Sequence, residues 1–463
     1  MTKLEYDELG NKNSTKILIL IFSLLFIFIF FDPLVLLLIN VLAFCLSSLN
    51  SRFKNFNVSA SLLLSTFYWF YLLIVINVHN TDLSTFTPLI KGFICIPIFF
   101  IIFIENLRLL KSCKKIFSGF VVIFVLLMFS LIKGRDNLAV SINYLGNLYL
   151  PLFILLLLSF ALLKRVKTIG VSKQFTSCNS LLVVVYSVMV LNLCMLLLYL
   201  LGIDYSGYNS EIGHIMGREG GSVGNIRTRL FGVNLPRFSG IFFDPTVAAY
   251  ILNFFFCIIL LFDNNVVRKL ITLCIVVVFG LLTLSKSFWL LSLSSLFFAF
   301  IYLFKKRLRF FLFWSYSTSI LVVLIVRALS DSTLDSSAIH VLGLVSPFID
   351  YSGFSYFIGA DLGSGGNLGG WVEQGAESSI GVFQYHLGLV GVFSIFSLFY
   401  FLLSDALSYK DKVSKLITIS IFPVLLASFL QENSFNLATS NIKILFFYIL
   451  LSKLKNIQSR VND

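Results

Sequence analysis

Long apolar segments, separated by short polar connections, recur along the whole chain. Most of them approach the roughly 17 to 25 residues that an α-helix needs to cross the hydrocarbon core of a bilayer. The pattern therefore predicts an all-α fold, a polytopic transmembrane helical bundle of about fourteen spans. The predicted spans are residues 17–31, 34–49, 58–78, 88–104, 116–132, 145–163, 181–203, 241–262, 270–284, 286–304, 311–329, 379–404, 416–430 and 437–452.

Two long apolar runs are each interpreted as a hairpin of two spans. The run 17–49 contains Asp32-Pro33 at its centre, and a proline there ends a helix more readily than it continues one. A single overlong helix is the alternative, and it would reverse the side on which every later loop lies. The run 270–304 is divided in the same way at Ser285-Lys286-Ser287.

The basic residues lie mainly in every second connection. Of the 35 Lys and Arg residues, 25 fall on the side that also holds both chain termini. The positive-inside rule makes that side cytoplasmic. The net charge of +13 is therefore a topology signal and gives no reason to expect a nucleic-acid partner.

Composition narrows the class of protein further. The chain is 58% hydrophobic and only 12% charged, too few charged residues to cover a soluble protein of 463 residues. Its seven cysteines have no metal-ligand spacing and lie in spans or predicted cytoplasmic loops, so neither a metal site nor a disulfide framework is expected.

Two connections on the predicted periplasmic side are long, and both are rich in Gly and Ser. They are residues 204–240 and 330–378. Neither is apolar enough to form a separate domain, so residues 1–463 are predicted to be one integral membrane domain with two periplasmic loops. Long loops of this kind are usually functional or disordered.

The first long loop carries arginines on the side where basic residues are disfavoured. An Arg side chain presents a planar fork of donors that matches carboxylate or phosphate oxygens. An anionic ligand at the outer interface is one interpretation, and ion pairs with Glu211 and Glu219 are the other. Arg237 is the strongest candidate, because Gly240 permits close backbone approach and Pro245 is suited to begin a helix. The four arginines are Arg218, Arg227, Arg229 and Arg237.

Three segments resemble the O-antigen polymerase and O-antigen ligase superfamily. "RFSGIFFDPTVAAYIL" (237–252) is similar to its Arg-x-x-Gly-x-x-x-(Asn/Asp)-Pro stretch. "LLTLSKSFWL" (281–290) resembles its Leu-Thr-Leu-Ser-Arg turn, with Lys286 in place of Arg. "AESSIGVFQYHLGLVG" (376–391) resembles the stretch after the large outer loop, and aligning its Gly-Leu-Val-Gly places Glu377 at the histidine of the ligases.

A further spacing pattern of some O-antigen polymerases also has counterparts here. It pairs an Arg with a Gly across ten residues in one outer loop and across fifteen in another. Arg229 to Gly240 fits the first, and Arg327 to Gly343 fits the second.

The resemblance implies a GT-C-like fold and a metal-independent glycosyltransferase without a cofactor. Its substrate would be an oligosaccharide repeat linked to undecaprenyl pyrophosphate. The enzyme would transfer the growing glycan to the non-reducing end of a new lipid-linked repeat, in O-antigen or a similar surface polysaccharide. It would lie in the bacterial inner membrane with both termini cytoplasmic and its active site facing the periplasm. Membrane lipids and a chain-length regulator of the same pathway are the other implied partners.

Such a transfer requires a base for the acceptor hydroxyl, and Glu377 is the principal candidate. The structural alternative for Glu377 is a carboxylate stabilised near a helix N-terminus. Glu373 is the second candidate in the same loop. His386 is a further substrate-site candidate, although a buried, hydrogen-bonded histidine is the alternative that we favour. Asp244 is better explained as a helix cap.

The departing lipid pyrophosphate gathers negative charge, so fixed cations should meet it. Arg237 is assigned there as a catalytic residue. Arg229, Lys286, Arg327 and Arg218 are assigned to substrate binding. For Lys286 the alternative is an interaction with lipid headgroups.

Two other functions remain open. A ligase would share the fold and the donor but use lipid A–core as acceptor, and Glu377 in place of the histidine argues against it. A flippase for lipid-linked oligosaccharide should show related halves and broken or ionisable helices within the membrane. The sequence shows neither feature clearly.

Overall fold

The computed structural model describes residues 102–104, 106, 113–169, 179–200, 227–230, 233–238, 240, 242, 245–330, 336–349, 352–369 and 377–462. Helices account for most of these residues, with one two-stranded hairpin. The predicted spans 17–31, 34–49 and 58–78, the Asp32-Pro33 turn and most of span 88–104 lie outside the described residues.

The helices and strands are numbered here in chain order. In the first half they are α1 (Lys114–Lys133), α2 (Leu138–Tyr144), α3 (Leu150–Ile169), α4 (Asn179–Leu200), β1 (Arg227–Leu230), β2 (Val233–Pro236) and α5 (Pro245–Phe262). The second half contains α6 (Val266–Leu282), α7 (Lys286–Ile301), α8 (Lys306–Ser330), α9 (Ser336–Ile349), α10 (Phe354–Ile358), α11 (Gly366–Gly369), α12 (Ser379–Ser408), α13 (Lys412–Ala427) and α14 (Leu437–Asn462). A 3₁₀ turn (Gly134–Asn137) and a π-helical turn (Leu145–Tyr149) flank α2. Each predicted span from residue 116 onward overlaps one of these helices.

Four helical segments of the described chain are long and apolar enough to cross a membrane. They are Lys114–Thr168, Pro245–Phe262, Ser379–Ser408 and Leu437–Leu454. Shorter apolar helices cover Leu182–Cys194, Lys286–Ile301 and His340–Ile349. These helices confirm the all-α class and have the character of a membrane protein.

The chain divides into two compact units, and each is discontinuous in sequence. The first draws its described residues from Lys173–Trp289 and Asn441–Ile449. The second draws its described residues from Ile98–Ser172, Leu290–Ser440 and Leu450–Asp463.

In the first unit, an ion pair between the buried Asp263 and the half-exposed Arg268 fixes the turn between α5 and α6. The Asp263 side chain is fully buried and accepts hydrogen bonds from Arg268 Nε and Nη2 at 3.0 and 2.8 Å and from the Tyr186 hydroxyl at 2.5 Å. Burial raises the pKa of Asp263, but the hydrogen bonds from Arg268, Tyr186 and the Asn265 amide outweigh it and lower the pKa to about 2. The carboxylate therefore stays ionised and paired at neutral pH.

The predicted division of the run 270–304 into two helices is confirmed. Helix α6 ends at Leu282 and α7 begins at Lys286, as the Ser285-Lys286-Ser287 turn indicated. A side chain on Gly280 would overlap the ring of Phe288, so the glycine lets the two helices approach closely at the turn.

In the second unit, α12 is broken near its middle. Gly388 has φ 64° and ψ −174°, a conformation that is almost exclusive to glycine. Any side chain there would overlap the backbone of Phe357, Ile358 and Gly359. The break is therefore a place where two backbone segments meet, and glycine is required for the contact.

The segment that meets this break is part of the second long loop. The backbone amide of Ala360 donates to the carbonyl of Tyr385 at 2.7 Å, and Gln384 Nε2 donates to the carbonyl of Tyr356 at 3.1 Å. On the other side, the amide of Leu362 donates to the carbonyl of Ser130 in α1 at 3.1 Å. Residues 352–369, called the inserted segment below, are thus held between α1 and α12.

The described part of the second long loop consequently contains more regular structure than its Gly- and Ser-rich sequence indicated. Helix α9 lies within it, and Val341, Leu344 and Pro347 form a buried stripe at helical spacing. Helix α9 packs against α8 and α12, and this contact supplies the partner that the isolated sequence lacks.

The predicted sidedness can be tested with two exposed positions of the second unit. Ser352, at the start of the inserted segment, is predicted to face the periplasm, and Lys305, between α7 and α8, the cytoplasm. In a chain lacking its native cysteines, Ser352→Cys should react with an impermeant thiol reagent in intact spheroplasts, and Lys305→Cys only after lysis. The opposite labelling pattern would contradict the predicted topology.

Candidate functional site

In the first unit, Arg237 meets the turn between α6 and α7. Its Nε donates to the carbonyl of Thr283 at 2.9 Å, and the amide of Phe238 donates to the carbonyl of Leu282 at 2.9 Å. These carbonyls belong to the C-terminal end of α6, where a helix leaves acceptors without intrahelical donors. Two of the three segments that carry the family resemblance, 46 residues apart along the chain, are therefore in contact.

Lys286 begins α7 directly after this turn, and its side chain is exposed. A cation at a helix N-terminus is electrostatically unfavourable, because the dipole there is already positive. Among the described residues no acidic side chain pairs with it. Arg237 and Lys286 thus lie at one turn. Of these two basic residues, only Arg237 has a packing role in the described structure.

The contact of Arg237 changes one sequence-based expectation. From the sequence, Arg237 is expected to bind an anionic ligand or to form an ion pair within the loop. Its bond to Thr283 shows that it also helps to hold the loop onto the end of α6. A substitution at Arg237 therefore alters structure and charge together.

Gly240 has a positive φ of 61°, which agrees with the expected need for glycine. The close approach that it permits is made by the Asn192 side chain of α4, which a Cβ at this position would overlap. Helix α5 begins at Pro245 as predicted, and Asp244 lies outside the described residues.

Buried Lys443 is a further cation of the first unit. It lies in α14 with no exposed surface, and its Nζ is 5.6 Å from the centre of the Tyr250 ring of α5. An ionisable side chain inside an apolar helix is costly and commonly marks function.

In the second unit, Glu377 immediately precedes Ser378, the N-cap residue of α12. His340 Nδ1 of α9 lies 3.4 Å from both the Oε2 atom and the carbonyl oxygen of Glu377. The Glu377 side chain is 42% exposed, so the carboxylate remains accessible, and His340 is its partner among the described residues. Nothing in the sequence indicated that His340 would be the partner of Glu377.

Glu377 also has a strained backbone. Its φ is 68°, in the left-handed region that disfavours residues with a side chain. Ser378 caps α12 by accepting from the amide of Gly381 at 3.1 Å, and Ser379 Oγ donates to the carbonyl of Gln431 at 2.9 Å. These contacts fix the chain on the C-terminal side of Glu377. Strain of this kind is concentrated at functional sites, and here it gives a reason to assign function to Glu377.

His386 is fully buried and hydrogen-bonded on both ring nitrogens, which agrees with the structural alternative stated for it. Nε2 lies 2.8 Å from the carbonyl of Ser364, and Nδ1 lies 3.0 Å from the Tyr149 hydroxyl. A carbonyl only accepts, so the proton must be on Nε2, and Nδ1 then accepts from Tyr149. In this arrangement His386 connects α12 to the inserted segment and to the π-helical turn.

A second carboxylate, Asp361 of the inserted segment, was missed by the sequence analysis. Ser364 Oγ lies 2.9 and 2.8 Å from its two carboxylate oxygens, and the Tyr385 hydroxyl lies 2.8 Å from Ser364 Oγ. Lys133 Nζ donates to the nearby carbonyl of Gly359 at 3.0 Å. This group combines a carboxylate, two hydroxyls and a cation, all suited to bind sugar hydroxyls or to accept a proton.

The structure describes only some of the remaining predicted site residues. Arg229 lies in β1 opposite Asn234, and Arg327 lies near the C-terminal end of α8. Arg218 and Glu373 lie outside the described residues. Within the part of the chain that the structure describes, no group of three or more His, Cys, Asp or Glu side chains forms a metal-ligand arrangement.

Comparison with known proteins gives no further assignment. No family model, no curated protein and no solved structure matches the chain.

Proposed function

We propose that the chain is an O-antigen polymerase-type membrane glycosyltransferase of about fourteen spans and GT-C-like fold. It extends oligosaccharide repeats linked to undecaprenyl pyrophosphate at the periplasmic face of the inner membrane. The observation that most supports this proposal is the bond between Arg237 and the turn that precedes Lys286. The contact joins two of the resemblance segments and sets two basic residues at one turn.

The proposed reaction forms one glycosidic bond and breaks one bond to phosphate. The hydroxyl oxygen at the non-reducing end of the acceptor repeat attacks the anomeric carbon of the donor glycan. The bond between that carbon and the pyrophosphate oxygen breaks, and undecaprenyl pyrophosphate leaves with the electron pair. Glu377 takes the hydroxyl proton. Cations offset the charge that the pyrophosphate gains, with Arg237 and Lys286 as the described members of the set and Arg229, Arg327 and Arg218 as the others.

Lys286 gives the cleanest test of the basic residues, because it is exposed and has no packing role in the described structure. Lys286→Gln should lower extension of purified lipid-linked repeats about 10²-fold, the scale for loss of one electrostatic contact to a transition state. Lys286→Arg should retain most activity. Lys305→Gln removes the same charge from another exposed site and should behave as wild type. Equal activity of the Lys286 and Lys305 glutamine variants would remove Lys286 from the site.

One observation favours transport of lipid-linked oligosaccharide as a second candidate function. Helix α12 is discontinuous at Gly388, and the inserted segment packs against the break, although the sequence showed no clear broken helix. Discontinuous helices that meet irregular backbone are typical of the binding sites of secondary transporters. A polymerase also needs to admit a lipid-linked substrate, so the break fits either function.

Deletion of the gene in its host separates polymerase, ligase and transporter. Loss of a polymerase leaves lipid A–core bearing a single repeat. Loss of a ligase leaves no attached repeat, and loss of a flippase leaves the lipid-linked unit on the cytoplasmic face. The proposal expects the first pattern on a polysaccharide gel, and either of the others would refute it.

A further inference from the structure

A cavity of about 410 Å³ lies in the second unit, where the N-terminal end of α1 meets the C-terminal ends of α3 and α12. Its volume falls within the range of roughly 300 to 1,000 Å³ that is usual for small-molecule sites. It lies at the opposite end of α12 from Glu377, the end predicted to be cytoplasmic. The cavity is therefore separate from the site of the proposed reaction. Ligand binding in the cavity does not depend on that reaction.

The cavity changes from apolar to basic along α3. Leu157 and Phe160 line it within the apolar run of the helix, and Lys164 and Lys167 line it where that run ends. Residues three, four and seven apart share one face of a helix, so a single face carries both parts. Lysines at the end of an apolar run lie at the depth of the lipid headgroups. Acyl chains and phosphate would thus meet matching surfaces.

Asn106 supplies a second observation that points to a ligand. Its side chain is 1% exposed and lines the cavity, and its Nδ2 donates to the carbonyl of Ile102 at 2.8 Å. That bond identifies Oδ1 as the remaining acceptor, and no group in the described structure donates to it. A buried acceptor without a donor is costly, and a ligand hydroxyl that reaches Oδ1 from the cavity would satisfy it.

The charges of the lining select among membrane lipids. Lys164 and Lys167 contribute two positive charges, and Asp405 contributes one carboxylate. The net charge of the cavity lining is therefore one positive charge. A lipid with one negative charge neutralises it, and a zwitterionic lipid does not. Asp405 and Asn106 Oδ1 are acceptors, so the same headgroup must also carry donors. Basic pockets between helices on the cytoplasmic side are known to bind anionic headgroups.

We propose that this cavity binds the headgroup of phosphatidylglycerol from the inner leaflet. Its phosphate lies at Lys164 and Lys167, its glycerol hydroxyls donate to Asn106 Oδ1 and Asp405, and its acyl chains follow Phe160 and Leu157.

Native mass spectrometry of the full chain in detergent tests the proposal. Phosphatidylglycerol, phosphatidylethanolamine and undecaprenyl phosphate are added one at a time. Phosphatidylglycerol should bind at least 10-fold more tightly than phosphatidylethanolamine, and Lys164→Ala/Lys167→Ala should weaken its binding at least 10-fold. Lys269→Ala/Lys305→Ala is the matched control, because it removes two cations from the same predicted face without touching the cavity. It should bind as wild type.

Asn106→Leu provides an independent variant that keeps both lysines and a similar side-chain volume. It should weaken phosphatidylglycerol binding while leaving the thermal unfolding temperature equal or higher, because a buried unsatisfied acceptor is removed. Equal binding of the two phospholipids, unchanged binding by the double lysine variant, or unchanged binding by Asn106→Leu would overturn the proposal. Tighter binding of undecaprenyl phosphate that is lost in the double lysine variant would also overturn it, in favour of the carrier lipid.

Discussion

Glu377→Gln is expected to lower the rate of polymer extension by about 10²- to 10⁴-fold, the usual loss when a general base is removed. The amide keeps the shape of the side chain and still accepts the hydrogen bond from His340, so protein abundance and substrate binding should change little. Extension of purified lipid-linked repeats by the purified variant is the measurement. Glu377→Asp, which keeps a carboxylate on a shorter side chain, should retain part of the activity.

Two further variants decide what a negative result means. Glu373→Gln makes the same charge change four residues earlier in the loop and should remain active. Asp361→Asn tests the carboxylate held by Ser364. If Glu377→Gln extends polymer like wild type while Asp361→Asn is inactive, the base is in the inserted segment. If both are active, the carboxylate mechanism is wrong.

The backbone of Glu377 gives this test a second readout. Glycine at this position would relieve the left-handed φ, which costs a residue with a side chain about 1 to 2 kcal/mol. The contact with His340 is partly exposed and contributes at most about 1 kcal/mol. Glu377→Gly should therefore unfold at an equal or higher temperature in detergent while losing extension activity. A variant that loses stability together with activity would favour a structural role.

Gly388→Ala is expected to have the largest effect on folding. The methyl group would overlap the backbone of the inserted segment, and the backbone conformation itself excludes a side chain. Overpacking of a tight contact typically costs about 1 to 3 kcal/mol, and a glycine-only conformation adds about 1 to 3 kcal/mol. We expect a large loss of folded protein, measured as monodisperse protein in detergent.

Gly353→Ala is the matched control for Gly388→Ala. Gly353 also has a positive φ, at 72°, but a Cβ there would meet nothing within 4 Å. It should show the conformational cost without the steric one, and so a much smaller loss of folded protein. Equal losses from the two variants would mean that the inserted segment does not depend on close contact at the break.

The sequence predicted the features that local pattern encodes. A polar Ser-Lys-Ser turn inside a long apolar run indicated the boundary between α6 and α7, because buried apolar helices rarely place a cation mid-run. Pro245 correctly indicated the start of α5, because proline is well suited to the first turn of a helix.

The features that were missed depend on contacts between distant segments. "YHLGLVG" reads as continuous apolar helix, and only the inserted segment against Gly388 explains the break. Asp361 lies in a run of glycine and serine with no periodicity, so its bond to Ser364 had no sequence signature. Helix α9 was read as loop because its 14 residues are too few for a span, and its buried stripe needs α12 to pack against.

Reconstitution of the purified chain in liposomes tests the central claim most directly. Lipid-linked repeats are supplied on the side that the predicted topology makes periplasmic, without any other protein. The proposed function predicts a ladder of glycans that grow by one repeat, with one undecaprenyl pyrophosphate released for each bond formed. Repeats that cross the bilayer without extension, or that remain single and unreacted beside a folded protein, would contradict it.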